Sequence, residues 1–279
     1  MLTKSACLIF FTAALATVSP AFAQETPGST VTTAQKKESG YSYPSGFVGL
    51  GGAMAPKYDG SSRYKASPFV IGNIEWEGMD LQFRSTNARL DILDSTTFQF
   101  GPVVALRSGR DGGDGDGRVA RLHGIDDAVE IGGFVGYRFG GDERGQGEIA
   151  LNLTALHDVS DTHDGFRATA QISYAALRGE SFSVDVDAST TYGDKDYTRT
   201  YFGVTPAEAG TSGLAAYQPG GGLQDVSVGI TIGYRLSDRW GLIGRIGGSY
   251  YVGDVKDSPI IDEGSAFQGI VAFGPTFRF

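Results

Sequence analysis

The sequence predicts an all-β protein, a transmembrane antiparallel β-barrel of about twelve strands, and three observations point to it. Apolar and polar residues alternate with period two through segment after segment, as in strands with one greasy and one polar face. These segments run to roughly 10–13 residues, where soluble strands average ~5–6 and membrane strands need ~9–11. Their apolar faces begin and end in aromatics (Phe166 and Tyr174, Phe182 and Tyr192, Trp240 and Tyr250), as the two interfacial girdles of an outer-membrane barrel require.

The chain opens with Lys4, an apolar run from Ala6 to Val18, and Ala21-Phe22-Ala23 ahead of Gln24. A basic start, a short apolar run and an A-x-A site predict a signal peptide over 1–23, cleaved after Ala23. That run is too short to span a bilayer, which takes about 20 apolar residues in a helix. Residues 24–45 are rich in Thr, Ser, Lys and Gly and are expected to form a flexible periplasmic leader. The barrel is expected over 46–279.

Composition agrees. Hydrophobic residues make up 41% of the chain, suited to a wall in which alternate residues face lipid. Glycine, at 42 of 279 residues, is about twice its usual ~7%. The single cysteine, Cys7, lies in the signal peptide, so a mature chain has no disulfide, thiol nucleophile or cysteine metal ligand. A net charge of −9 argues against nucleic-acid binding, which needs a basic stripe.

The strands are expected near 46–55, 66–76, 79–90, 95–107, 128–139, 147–157, 165–176, 180–192, 196–204, 224–236, 239–252 and 267–279. In 181–192, Phe182, Val184, Val186, Ala188, Thr190 and Tyr192 oppose Ser183, Asp185, Asp187, Ser189 and Thr191. In 226–236, valine, isoleucine, Tyr234 and Leu236 oppose Ser227, Gly229, Thr231, Gly233 and Arg235. In the last strand Phe279, Phe277, Pro275, Phe273 and Val271 oppose Arg278, Thr276, Gly274, Ala272, Ile270 and Gln268, and the terminal phenylalanine suggests a barrel closing on itself. The segments 79–90 and 196–204 alternate least clearly; without them the count is ten, also even, as bacterial barrels require.

Two features strain this scheme. Phe100-Gly101-Pro102 and Phe273-Gly274-Pro275 put proline inside strands, where it cannot donate to the ladder, so a bulge is expected at each. With both termini periplasmic, the strand count also places the glycine- and aspartate-rich segment 107–127 on the periplasmic side, where turns are normally short. Either that loop is unusual or a strand before it is miscounted.

The chemistry is sparse. Glu130, Glu148, Asp185 and Asp187 share the lumen-facing positions with Arg107, Arg138, Arg167, Arg235, Arg245 and Arg278. Isolated buried charges are costly, so these are expected to pair and plug the bore; a selectivity lining is the alternative. The Asp111–Gly117 run lacks the acidic spacing and final glutamate of an EF-hand and reads as a flexible, solvated loop. His157, Asp158, Ser160, Asp161, His163 and Asp164 could supply a base or a metal pair, yet they fall in an expected turn and no G-x-S-x-G or H-E-x-x-H accompanies them. No enzyme, catalytic residue, cofactor or metal site is expected.

The segments Ala55-Pro56-Lys57-Tyr58-Asp59-Gly60-Ser61, Gly101-Pro102 with Gly109-Arg110, Tyr201-Phe202-Gly203-Val204, Ser212-Gly213-Leu214 and Asp257-Ser258-Pro259-Ile260 resemble, in this order, those of the MipA/OmpV family. The resemblance implies an outer-membrane barrel without known catalytic residues, so no site residue carries over. Its name-giving member is regarded as a scaffold joining a lytic transglycosylase to a bifunctional penicillin-binding protein in murein synthesis; other members are treated as porin-like or adhesive. Two readings follow. One is a scaffold, contacting cell-wall enzymes through 107–127 and the leader; the other is a channel or surface-binding barrel using 56–67, 205–224 and 254–266. Outer-membrane lipid and lipopolysaccharide are the expected surroundings.

Overall fold

The computed structural model describes residues 44–113 and 115–279. The expected signal peptide and all but the end of the leader lie outside the described residues. Twelve strands form one closed antiparallel barrel: β1 (Ser45–Pro56), β2 (Tyr64–Trp76), β3 (Met79–Arg84), β4 (Asn87–Asp91), β5 (Phe98–Arg107), β6 (Ala128–Gly140), β7 (Glu148–Asp158), β8 (Phe166–Arg178), β9 (Phe182–Gly193), β10 (Gly222–Arg235), β11 (Trp240–Tyr251) and β12 (Phe267–Arg278). Each strand pairs with the next in sequence, and β12 returns to β1 with Phe47 opposite Arg278 and Met54 opposite Val271. The terminal residue belongs to this seam, where Gly46 and Phe279 exchange two backbone hydrogen bonds of 3.2 and 3.1 Å.

The alternation sets the faces as the sequence predicts. Val228, Ile230 and Ile232 point outward, while Ser227, Thr231 and the other alternate positions face the lumen. Outward aromatics collect at the two strand ends: Tyr64, Phe166, Tyr192, Tyr250 and Phe267 at one, and Trp76, Phe98, Phe139, Phe182, Tyr234 and Trp240 at the other. No helix among the described residues is long and apolar enough to cross a membrane.

The count of twelve is right, but two of its members differ from expectation, and their errors cancel. The segment 79–90 forms two short strands rather than one, because Ser85 and Thr86 make a two-residue turn with Arg84 opposite Asn87 and Ser85 in the left-handed region (φ 50°). The segment 196–204 is helical, not extended: helix α1 (Lys195–Phe202) starts on Asp194, whose side chain accepts a hydrogen bond from the Tyr197 amide. Its aromatics and threonines suit a strand, but Tyr197, Thr198, Tyr201 and Phe202 form one buried helical face.

The extra strand before residue 107 reverses the side of the 107–127 loop. The end carrying both barrel termini, here the terminus end, has the connections 77–78, 92–97, 141–147, 179–181 and 236–239. The opposite, loop end carries 57–63, 85–86, 108–127, 159–165, 194–221 and 252–266. The difference lies before the loop, where 79–90 crosses the wall twice, as β3 and β4.

Neither proline produces a bulge. Pro102 and Pro275 stay in register with Gly133 and Leu242, and the register shifts lie at Ala175/Leu177 and Leu223/Asp225. The preceding glycine explains the tolerance. A Cβ on Gly101 would sit 1.8 Å from the Leu90 carbonyl, and one on Gly274 would sit 2.6 Å from that of Leu50. The neighbouring backbone therefore closes tightly beside the missing donor, and no inserted residue is needed.

At the loop end the connections pack together as a cap. It contains a 3₁₀ turn (Gly117–Arg121), α1, α2 (Pro206–Ser212), α3 (Gly253–Lys256) and α4 (Pro259–Glu263). One apolar cluster joins Tyr58, Val119, Leu122, Val204, Leu214 and Ile260; a second joins Ile125, Tyr197, Tyr201, Phe202, Tyr251, Val255 and Ile261. Helix α2 is held by a capping box between Thr205 and Glu208 and ends on Gly213, in the left-handed conformation (φ 76°) that glycine adopts most easily. Four separate connections thus share two small cores above the lumen.

Candidate functional site

Ion pairs project into the lumen, each joining strands no more than two apart in the barrel. Glu130 on β6 and Arg167 on β8 meet across β7, with Arg167 Nε donating to both carboxylate oxygens at 2.8 and 2.9 Å. His163 of the 159–165 loop places Nε2 3.2 Å from the same Glu130 carboxylate, and neither side chain is exposed at all. The loop is shaped by Asp158, which accepts the backbone N–H groups of Ser160, Thr162, His163 and Asp164 at 2.6–3.1 Å. Nearer the terminus end, Arg245 on β11 donates to both oxygens of Asp187 at 2.7 and 2.9 Å and to Thr231 Oγ1 at 2.8 Å. Arg178 pairs with Asp185.

The cap is tied into this network. Asp59, from the β1–β2 connection, is buried and pairs with Arg107. The Arg107 guanidinium lies 4.6 and 4.5 Å from the ring centroids of Tyr197 and Tyr201, so a strand cation is held by a loop carboxylate and two faces of α1. Burial pushes the Tyr197 and Tyr201 hydroxyls well above the ordinary phenol range, which keeps both neutral. A cavity of about 40 Å³ lies at this level, touching Asp59, Arg107, Arg167 and Tyr197.

Asp116 makes a second tie. It accepts hydrogen bonds from Tyr58 Oη (2.9 Å), Ser61 Oγ (2.6 Å), the Ser62 amide (3.0 Å) and Arg63 Nε (3.0 Å). Burial works to raise its pKa, but those donors prevail and hold the carboxyl below the usual range. Burial is also the main reason why the Tyr58 hydroxyl is pushed up to about 12. The Asp111–Gly117 run expected to be solvated is exposed at 111–113, but its Asp116 is buried and serves as a hydrogen-bonding hub, and the loop beyond it packs through Val119, Leu122 and Ile125.

Of the charges placed in the lumen from sequence, Glu130, Asp185, Asp187, Arg107, Arg167 and Arg245 are paired. Arg138 donates to Gln99 at 3.2 Å, and Glu148, Arg235 and Arg278 have no ion-pair partner among the described residues. Sequence reasoning missed Asp59 as a lumen charge, because it lies in a loop where alternation gives no facing, and it set His163 in a turn as a possible base or metal ligand rather than beside Glu130. It also missed Arg178, just beyond the bulge at Ala175/Leu177, which breaks the alternation. His157 and His163 do not converge: His157 Nδ1 bonds the Gly165 carbonyl, whereas His163 faces Glu130. No group of three or more metal-ligating side chains occurs among the described residues.

At the terminus end, a mouth of about 390 Å³ is lined by Phe47, Ile243 and five arginines, Arg144, Arg178, Arg235, Arg239 and Arg278.

A closed, even-stranded meander with aromatic girdles and a charged interior defines an outer-membrane-type β-barrel. Residues 48–279 match the family model described as MltA-interacting protein MipA, and the chain belongs to that family. Omp26La of Vibrio anguillarum and OmpV of Vibrio cholerae, both outer membrane proteins, are each 28% identical to it over 133 residues, covering 48% of this chain and 50% of theirs. The chain thus matches about half the length of these relatives. Among solved structures, the NanC porin aligns with 84% of this chain and 100% of its own at a TM-score of 0.46 and 9% identity. The KdgM porin aligns with 84% and 99% at a TM-score of 0.38 and 9% identity, and neither likeness carries a function across.

Proposed function

We propose that this chain is a non-enzymatic outer-membrane barrel with a sealed lumen, acting as a scaffold for cell-wall enzymes. The observation that carries it is the combination of cap and plug. Two apolar clusters close the loop end, and the buried Arg167–Glu130–His163 and Arg245–Asp187 groups project into the bore beneath it. A path for solute would have to open the two apolar cores of the cap and displace the buried charged side chains below them. Such a barrel works through its surfaces. The family model's description, an MltA-interacting protein, supports an enzyme partner.

The contact surface differs from the one the sequence suggested. In outer-membrane barrels short turns face the periplasm and longer loops the exterior, so the 108–127 connection faces outward. The periplasmic surface left for an enzyme is the terminus end with its turns and the leader. The test is capture of a lytic transglycosylase by the purified barrel, alongside planar-bilayer recording. Capture lost on replacing the 141–147 and 236–239 turns, with no unitary conductance steps, is the expected result. Reproducible conductance steps from the intact protein would overturn the sealed lumen, and unchanged capture would overturn the contact surface.

A further inference from the structure

We propose that the terminus-end mouth is a binding site for a carboxylate-bearing saccharide of the cell-wall type, held by Arg235, Arg278 and Arg239 beside the ring of Phe47. This deepens the scaffold reading and rests on it for the side of the membrane. The mouth is lined by five arginines against two carboxylates, Glu180 and Asp238. Arg178 is occupied by Asp185. Arg144, Arg235, Arg239 and Arg278 have no ion-pair partner among the described residues, whereas Arg167 and Arg245 deeper in the bore are held by Glu130 and Asp187. Arginine forks match planar anions bidentately, so an unpaired set converging on one cavity is a receptor for anionic oxygens.

The wall decides which anion. Arg235 alternates with outward Tyr234 and Leu236, and Arg278 with Phe277 and Phe279, so both belong to the lumen face. A lipid headgroup outside the wall is on the wrong side of the strand for them; a soluble anion entering the mouth is not. The volume of about 390 Å³ sits at the low end of the ~300–1,000 Å³ usual for small-ligand pockets, enough for a short piece of glycan and too small for a folded domain. The half-buried Phe47 ring offers an apolar surface for a sugar face, with guanidinium groups in the same lining for its carboxylates.

The experiment is equilibrium binding to the purified, detergent-solubilised barrel. The probes are a disaccharide–tetrapeptide muropeptide, its carboxyl-amidated counterpart, inorganic phosphate, a short oligoglutamate and phosphatidylglycerol in mixed micelles. Arg235→Gln with Arg278→Gln is the site variant, and Val228→Ala on the outer wall is the control. The expected result is saturable muropeptide binding that weakens at least tenfold in the double variant and with amidation, is unchanged in the control and falls with added salt. Both side chains are exposed, and retention of the heat-modifiable folded band shows that the variant still folds. Equal binding of the amidated probe, equal binding by the double variant, or preference for oligoglutamate or phosphatidylglycerol each overturns the proposal. Muropeptide binding is read without any enzyme, so its loss with transglycosylase capture intact refutes this site alone. Capture lost with muropeptide binding intact refutes the scaffold reading instead.

Discussion

Asp59 and Arg107 meet inside the barrel, 48 positions apart in sequence, and each is about 5% exposed. The carboxylate comes from a loop and the guanidinium from the end of strand β5, so the pair fastens the cap to the wall. Asp59→Ala would leave Arg107 buried beside Tyr197 and Tyr201 without that carboxylate. Removing one partner of such a pair costs about 3–5 kcal/mol, whereas replacing both by well-packed apolar residues is often neutral. Asp59→Ala is therefore expected to lower the urea midpoint of the folded band in detergent. Asp59→Leu with Arg107→Met is expected to recover most of the loss. Equal midpoints for Asp59→Ala and the native chain would show that the pair does not fasten the cap.

Phe202 is expected to hold the cap without holding the wall. Its side chain is fully buried, its ring stands 5.2 Å from that of Tyr251, and its carbonyl accepts the Ser258 hydroxyl at 2.6 Å. Phe202→Ala should cost roughly 3–5 kcal/mol of local stability. Because α1 lies outside the strand ladder, the loss should appear as protease cleavage within 206–221 and 253–266 while the strand core stays protected. Cleavage spread evenly through the strands would contradict this separation.

The wall and the cap were unequally legible in the sequence, for a physical reason. A strand in a lipid-facing wall is specified by its own alternation, so the facing of Asp187, Arg245 and Ile230 can be read locally. A cap is specified by contacts between residues far apart in the chain, as between Tyr58 and Asp116 or Arg118 and Glu263, and no period records those. Helix α1 shows the failure most clearly. Its Tyr, Thr and Phe residues favour strands, and only the tertiary contacts of Tyr197 and Tyr201 with Arg107 reveal the helical face.

Asp116 gives the cap an acid limit. Its folded-state pKa is depressed by hydrogen bonds that prevail over burial. A depressed carboxyl contributes stability that is fully present above its unfolded pKa of about 3.9 and is lost as pH falls through the folded value. The 57–63 and 115–116 segments should therefore stay tied across neutral and mildly acidic pH and loosen only below about pH 4. Hydrogen exchange at the Ser62 amide, which donates to Asp116 at 3.0 Å, reads this directly. Asp116→Asn should raise exchange at pH 7 and flatten its pH dependence; an unchanged profile would remove Asp116 from this role.

The side of the 108–127 connection decides which surfaces a periplasmic enzyme can meet, and single cysteines can establish it. Asp111 and Gly210 are both exposed at the loop end, and Glu143 is exposed in a terminus-end turn. A Cβ at Gly210 meets nothing within 4 Å, whereas one at Gly115 would strike the Ala120 backbone at 2.3 Å, so Asp111 is the better probe of its loop. With Cys7 confined to the expected signal peptide, the background is low. In intact cells an impermeant maleimide should label Asp111→Cys and Gly210→Cys but not Glu143→Cys, which should react only after the outer membrane is opened. The hairpin of β3 and β4 makes this outcome follow, since it adds the strand that moves 108–127 to the side of α1 and α2. Labelling of Gly210→Cys alone would mean that β3 and β4 do not both cross the membrane. It would return the 108–127 loop to the periplasm and make it again a surface for cell-wall enzymes.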